Sequence, residues 1–238
     1  MNNPLVVVAG GSSAAGIAVA QALLAAGMRV LTVGSDAGRI RAAAQLAGGA
    51  VPLACDLADP AAVAELAAGI RGDFGPVDGL VHLVGGWRGG GGLAGQSDAD
   101  WDFLHTSVLA TLRNTSREFY PDLAASPVGR LAIVSSTSVT APTPGNANYA
   151  AIKAAAETWV QAVAAGFAED GKAAGDAAAE GGAAAVVLVV KALLDDSMRA
   201  RSPERTFPGF TDVSVLGTAV AGLFGTPAAG LNGARIIL

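Results

Sequence analysis

Three side chains stand at spacings that could do proton chemistry. Tyr149 and Lys153 are four residues apart near the start of a helix-like stretch and so share a face; Ser136, thirteen residues before Tyr149, ends an apolar strand-like run. A phenol, an ammonium and a hydroxyl placed this way could converge on one carbonyl. Hydride arriving at the carbon builds negative charge on the oxygen, and an acid must protonate it as that charge forms. Tyr149 is suited to be the acid. A free phenol has a pKa of about 10, poorly matched to neutral pH, and a nearby ammonium would favour the phenolate and bring it down. Lys153 is placed for this, and Ser136 would orient the oxygen and stabilise its charge. Ser138 competes with Ser136 on the same loop, whereas Ser135 reads as buried strand. By itself Y-x-x-x-K is a common helical spacing, so its surroundings decide its meaning.

A second constellation could hold a phosphate. Ala9 to Gly16 reads A-G-G-S-S-A-A-G and lies between an apolar run and a helix-like stretch. Such a turn puts fresh backbone N–H groups and a helix N-terminus where a pyrophosphate can sit. The corner after the second apolar run is Gly34-Ser35, with Arg39 one turn into the next helix. An acid in this corner would bind the ribose 2′-OH of NAD, and a base would accommodate the 2′-phosphate of NADP. With no acid at Gly34, the corner leans to NADP; Asp36 argues for NAD, and Arg39 also reads as a solvated helix residue. Asp56-Leu57 follows the third run, at a strand end where a cofactor edge would lie, and otherwise reads as a simple helix cap.

Seven short apolar runs are read as strands: Leu5 to Ala9, Arg29 to Val33, Val51 to Ala54, Leu80 to Val84, Leu131 to Ser135, Ala185 to Val190 and Arg235 to Leu238. They lack period-2 alternation, as strands covered on both faces do. Helices are expected at Ala14 to Ala26, Ala37 to Leu46, Pro60 to Ile70, Asp98 to Ala125, Asn148 to Glu169 and Val213 to Phe224. This alternation predicts an α/β, Rossmann-type doubly wound parallel sheet in three layers, with ligands at the strand C-termini. Residues 1–238 are expected to form a single NAD(P)-binding domain. Asp170 to Ala184 reads as a loose surface connection, and residues 195 to 211 as a substrate lid or an ordinary long loop.

Composition removes other classes. Hydrophobic residues at 52% against 15% charged supply a core and argue against disorder. A net charge of −5 without a basic cluster makes nucleic acid an unlikely partner. Cys55 is the only cysteine, which excludes an intrachain disulfide and a cysteine zinc site and reads as a core thiol. The apolar run at 5 to 9 is too short for a signal sequence or a bilayer span, so a cytoplasmic protein without membrane attachment is expected, with no metal.

Ser135 to Lys153, S-S-T-S-V-T-A-P-T-P-G-N-A-N-Y-A-A-I-K, resembles the active-site segment of the short-chain dehydrogenase/reductase family. The turn at Ala9 to Gly16 is similar to that family's T-G-x-x-x-G-x-G loop, with Ala9 and Ala14 replacing the Thr and the middle Gly. The resemblance implies an NAD(P)-dependent oxidoreductase that interconverts a carbonyl and an alcohol on a small molecule, with Ser136, Tyr149 and Lys153 catalytic. It implies a cofactor held by Gly10, Ser12, Ser13, Ala15, Gly16, Ser35, Arg39, Asp56, Leu57 and Gly85, with Tyr149 and Lys153 at the nicotinamide end. It also implies a homodimer or homotetramer packed through the alanine-rich helices.

Four departures bear on turnover. The family's N-N-A-G is His82-Leu83-Val84-Gly85, with His82 read as a satisfied core histidine; the helix asparagine of the proton relay falls near Val108, beside Ser107, which could hold a relay water. Pro-Gly after the sixth strand becomes Lys191-Ala192, and the nicotinamide-contacting Thr aligns with Asp196. These changes motivate an alternative, a dinucleotide-binding regulator without turnover. Gly85 to Gly90 and Met198 to Thr211 are locally similar to dihydropteridine reductase, which adds pterin reduction as a further alternative, with Trp87 and the 198–211 loop bordering the substrate.

Overall fold

The structure is a computed structural model that describes residues 3–173 and 182–238. Among the described residues nine strands occur in chain order: β1 (Leu5–Ala9), β2 (Arg29–Gly34), β3 (Val51–Ala54), β4 (Gly79–His82), β5 (Arg130–Ser136), β6 (Ala184–Val190), β7 (Leu193–Leu194), β8 (Thr211–Asp212) and β9 (Arg235–Ile237). Seven form one sheet in the order β3-β2-β1-β4-β5-β6-β9, every pairing parallel. β1 and β6 are buried along their whole length, which is why their sequences run unbroken in apolar residues. The α-helices among the described residues are α1 (Ala14–Ala25), α2 (Ala37–Leu46), α3 (Pro60–Asp73), α4 (Asp98–Leu104), α5 (Thr111–Ala125), α6 (Ala147–Ala173), α7 (Asp196–Arg201) and α8 (Val213–Leu223).

Two apolar layers sandwich the sheet. One joins Val7, Leu80 and Leu131 to Ile70, Phe119, Val160 and Phe167 of α3, α5 and α6; the other joins Val6, Val8 and Val186 to Val19, Leu23 and Val220 of α1 and α8. The sheet order reverses between β1 and β4, so the crevice expected of a doubly wound fold opens past Ala9 and His82, which lie side by side in register.

Three expectations change. The helix expected at Asp98 to Ala125 carries a π-helical turn at His105–Ala110. Hydroxyls in and after this turn bond carbonyls one turn back: Ser107 Oγ donates to the Phe103 carbonyl at 2.7 Å, Thr111 Oγ1 to Ser107 at 2.8 Å and Thr115 Oγ1 to Thr111 at 2.8 Å. Residues 195 to 211 are more than a bare loop. Asp195 caps α7 by accepting from Met198 N–H at 2.8 Å, Arg199 bonds Asp212, and β7 pairs with β8 around the segment. Of the connection expected at Asp170 to Ala184, residues 170–173 belong to α6 and 174–181 lie outside the described residues. Among the described residues no helix is long and apolar enough to cross a membrane.

Candidate active site

The turn after β1 is shaped for close backbone approach. Gly10 has φ +82°, and a Cβ there would come within 2.9 Å of the Leu83 carbonyl carbon. At Gly16 a Cβ would meet the Gly10 oxygen at 2.5 Å, so only glycine lets α1 start against the turn. Ser13 caps that helix: its Oγ accepts from Gly16 N–H at 3.0 Å and donates to the Gly10 carbonyl at 2.9 Å. Ala14 replaces a family glycine without strain, since no described residue other than glycine has positive φ.

Two clefts meet at the C-terminal edge of the sheet and share Leu83, Val84 and Gly85 as a common wall. The larger, about 760 Å³, is lined by Gly10, Ser12, Ser13, Ser35, Arg39, Asp56, Leu57 and Gly85 of the expected cofactor set. The smaller, about 380 Å³, is lined by Ser136, Ser138, Tyr149 and Lys153, together with Ala15, His82, Trp87 and Lys191. Ser136, Tyr149 and Lys153 therefore share one cavity. Gly16 lines neither cleft and shapes the turn instead. Arg39 is well exposed, with Asp36 at 3.7 Å. Asp196 is fully exposed and lines neither cleft.

Ser136 and Lys153 are buried, and Tyr149 is half-buried. Lys153 is 8% exposed, and its Nζ donates to the Val134 carbonyl at 2.8 Å. Burial pulls its ammonium down to about 8, while the Glu157 carboxylate acts in the opposite direction. Burial pushes the Tyr149 phenol up, and the Ser136 hydroxyl works against this. Lys153 Nζ, bonded to the Val134 carbonyl, lies 5.8 Å from the centre of the Tyr149 ring. Ser136 Oγ donates to Ser138 Oγ at 3.0 Å and accepts from the Ser138 N–H at 3.1 Å, so the two candidate serines form one hydroxyl pair.

Two residues depart from their expected surroundings. His82 is buried but not satisfied, because its Nε2 has no hydrogen-bond partner among the described residues. Burial and then the Lys153 charge pull its imidazole down to about 3, so it is neutral at physiological pH. Cys55 is half-buried: it packs against the core and also lines the larger cleft, and burial and the neighbouring Asp56 push its thiol up. Lys191 Nζ donates to the Pro208 carbonyl at 2.9 Å and borders the smaller cleft. Val108, at the relay position, packs in the core, and Gly85 leaves room for it.

Sequence reasoning missed Asp102, Phe103, Thr106 and Thr111, which line the larger cleft from the π-distorted helix. Their only signal was the hydroxyl repeat at 107, 111 and 115. It also missed Glu157, which accepts from Ser135 Oγ at 2.5 Å, and Arg235, whose Nε donates to Glu157 at 3.0 Å.

A glycine turn at a helix N-terminus, opening into a long cleft that ends beside a phenol and an ammonium, fits a dinucleotide. The fold and site thus define an α/β dinucleotide-binding protein of oxidoreductase type. Residues 4–174 match the short chain dehydrogenase family, and the chain belongs to it. A short chain dehydrogenase from Pseudocercospora fijiensis is 30% identical over 164 residues, 67% of this chain and 53% of that protein. A 3-oxoacyl-(acyl-carrier-protein) reductase from Salmonella typhimurium is 30% identical over 151 residues, 63% of this chain and 62% of that protein. The match thus spans between half and two thirds of these relatives. Among solved structures, an NADPH-bound short chain oxidoreductase with an atypical catalytic center from Pseudomonas aeruginosa PAO1 has a TM-score of 0.83 at 21% identity, covering 100% of this chain and 97% of that one. A short-chain dehydrogenase/reductase from Mycobacterium ulcerans has a TM-score of 0.85 at 18% identity, covering 100% and 89%.

Proposed function

We propose that the chain reduces a carbonyl on a small molecule to the alcohol, with NADPH as the preferred cofactor. The observation that carries this reading is the placement of Ser136, Tyr149 and Lys153 around one cavity that shares a wall with the glycine-turn cleft. NADPH, when bound, supplies the hydride. Ser12 and Ser13 with the first turn of α1 would take the pyrophosphate, Ser35 and Arg39 the 2′-phosphate, and Asp56 and Leu57 the adenine. The NADPH-bound structural neighbour supports that choice of cofactor.

The Ser136–Ser138 hydroxyl pair orients the carbonyl oxygen. Tyr149, kept protonated by its burial, delivers a proton to that oxygen as charge builds, and the nearby Lys153 ammonium stabilises the phenolate left behind. Tyr149→Phe removes the proton donor without removing the ring, so turnover should fall about 10²- to 10⁴-fold with Tm unchanged. Rates are measured as NADPH and NADH oxidation across ketones, aldehydes and 3-oxoacyl thioesters. Cofactor binding without turnover of any carbonyl by the unmodified protein would transfer the assignment to the non-catalytic regulator.

Trp87 favours a second reading within the same chemistry. Its indole is 59% exposed yet lines the smaller cleft, a flat surface on which a pterin ring could stack. Including a quinonoid dihydropterin in the substrate panel tests this.

We further infer a homo-oligomer formed through α5 and α6. These helices carry an apolar hollow of about 430 Å³ lined by Tyr120, Pro121, Trp159 and Val163, among others. Val163→Asp should dissociate the assembly in sedimentation velocity; a monomeric wild type sinks the inference.

A further inference from the structure

The last three residues of β5 are gripped one after another. Lys153 Nζ donates to the Val134 carbonyl at 2.8 Å, Ser135 Oγ donates to Glu157 Oε1 at 2.5 Å, and Arg235 Nη2 donates to the Ser136 carbonyl at 3.4 Å. Two of these anchors take no part in the chemistry derived above, and they are bonded to each other. Arg235 Nε donates to Glu157 Oε2 at 3.0 Å, with side-chain exposures of 28% and 13%. An ion pair this far from solvent gives back in attraction little more than its desolvation costs, so stability alone is a poor account of it.

We propose that Glu157 and Arg235 are positioning residues of the Ser136, Tyr149 and Lys153 centre. Glu157, one helical turn beyond Lys153 on α6, is the counter-charge of its ammonium, and Arg235 fixes that carboxylate and the backbone of Ser136 to β9. The inference rests on the catalytic reading, because it assigns what that reading requires: a charged Lys153 and a fixed Ser136.

The electrostatics around Lys153 are simple. From its own helix it faces Tyr149 and Glu157; from β4, His82; and beyond β6, Lys191, which borders the same cleft. His82 is neutral, with its imidazole held at about 3, and the Lys191 ammonium is engaged by Pro208. Glu157 is the carboxylate acting on Lys153, and it opposes the burial that pulls the ammonium down to about 8. The signs therefore separate. Neutralising Glu157 leaves burial unopposed, and Lys153 loses its proton at lower pH. Removing the Arg235 charge frees Glu157 to act on Lys153 alone, and Lys153 holds its proton to higher pH.

The chain has only three lysines, Lys153, Lys172 and Lys191, so a protein labelled with ¹³C at lysine Cε gives three signals to titrate by NMR without cofactor or substrate. Glu157→Gln should move the Lys153 midpoint down by about half a unit or more and Arg235→Gln should move it up, as expected for charges within a few ångströms. The alkaline limb of kcat should follow in the same directions, with KM for NADPH within twofold of wild type. Glu157→Asp, which keeps the charge, should restore the midpoint. If the two neutral variants shift it in the same direction, or neither shifts it, the proposal is overturned. Should Glu157→Gln fail to fold, Arg235→Gln and Arg235→Lys decide: the first must raise the midpoint, and the second must leave it in place while lowering kcat. The titration needs no turnover, so an inactive wild type would refute the catalytic reading and leave this result standing on its own.

Discussion

His82 shows how one buried side chain makes a fold sensitive to acid. In an unfolded chain its imidazole titrates near 6.5, whereas in the native protein burial holds it at about 3. Between those values the unfolded state binds a proton that the native state refuses. Stability from this residue is therefore complete above about pH 6.5 and falls as pH drops toward 3. His82→Asn should remove about 2–3 kcal/mol of the stability difference between pH 7.5 and pH 4.5, measured by urea unfolding at both. An acid limb as steep as wild type would show that the imidazole is not the titrating group. Ser136, Tyr149 and Lys153 were legible because their spacing is local: two sit one helical turn apart and the third ends a strand. The unsatisfied state of His82 and the exposure of Cys55 to the cleft were not, since both depend on what neighbouring strands and loops place beside them.

At the scale of elements, glycine matters only where backbone meets backbone. A Cβ on Gly16 would meet the Gly10 oxygen at 2.5 Å, whereas one on Gly72 in α3 meets nothing within 4 Å. Gly16→Ala must push α1 off its turn, so it should destabilise by about 1–3 kcal/mol and weaken NADPH binding. Gly72→Ala should stabilise by about 0.4–1 kcal/mol by reducing the freedom of the unfolded chain. Thermal unfolding of the two variants, with and without NADPH, checks both signs. All seven strands of the main sheet were legible within a residue or two: the central ones are buried on both faces and leave unbroken apolar runs, and the partly exposed edge strands β3 and β9 are still short apolar runs. The π-helical turn at His105–Ala110 was not, because one wide turn leaves the apolar period of the helix nearly intact.

At the scale of the whole molecule, the chain is tied together by polar bonds between residues far apart in sequence. Arg130 is 2% exposed, and its guanidinium donates to the carbonyls of Gly129, Gly182, Leu223 and Thr226 at 2.7 to 2.9 Å. It thus ties the start of β5 to the end of α8. Arg130→Met would take the guanidinium donor from the Gly182 and Thr226 carbonyls, whereas those of Gly129 and Leu223 still accept from the N–H groups of Ala184 and Thr226, so the cost should be about 1–3 kcal/mol. Arg130→Lys should not rescue it, since one ammonium cannot reach four divergent carbonyls. Equilibrium unfolding of both variants measures this, and a Lys variant equal to wild type would contradict it. Nothing in the sequence marks Arg130, or the pairing of Glu157 with Arg235 78 residues later, because no period or motif links positions so distant.

The wall formed by Leu83, Val84 and Gly85 borders both clefts. With the coenzyme in the larger cleft and the substrate in the smaller, as proposed, substitutions in that tripeptide should alter coenzyme grip and substrate acceptance together. Trp87 and Leu193 border only the smaller cavity and Ser35 and Arg39 only the larger. On the same reading, those two pairs are the handles by which substrate scope and coenzyme preference would be tuned separately.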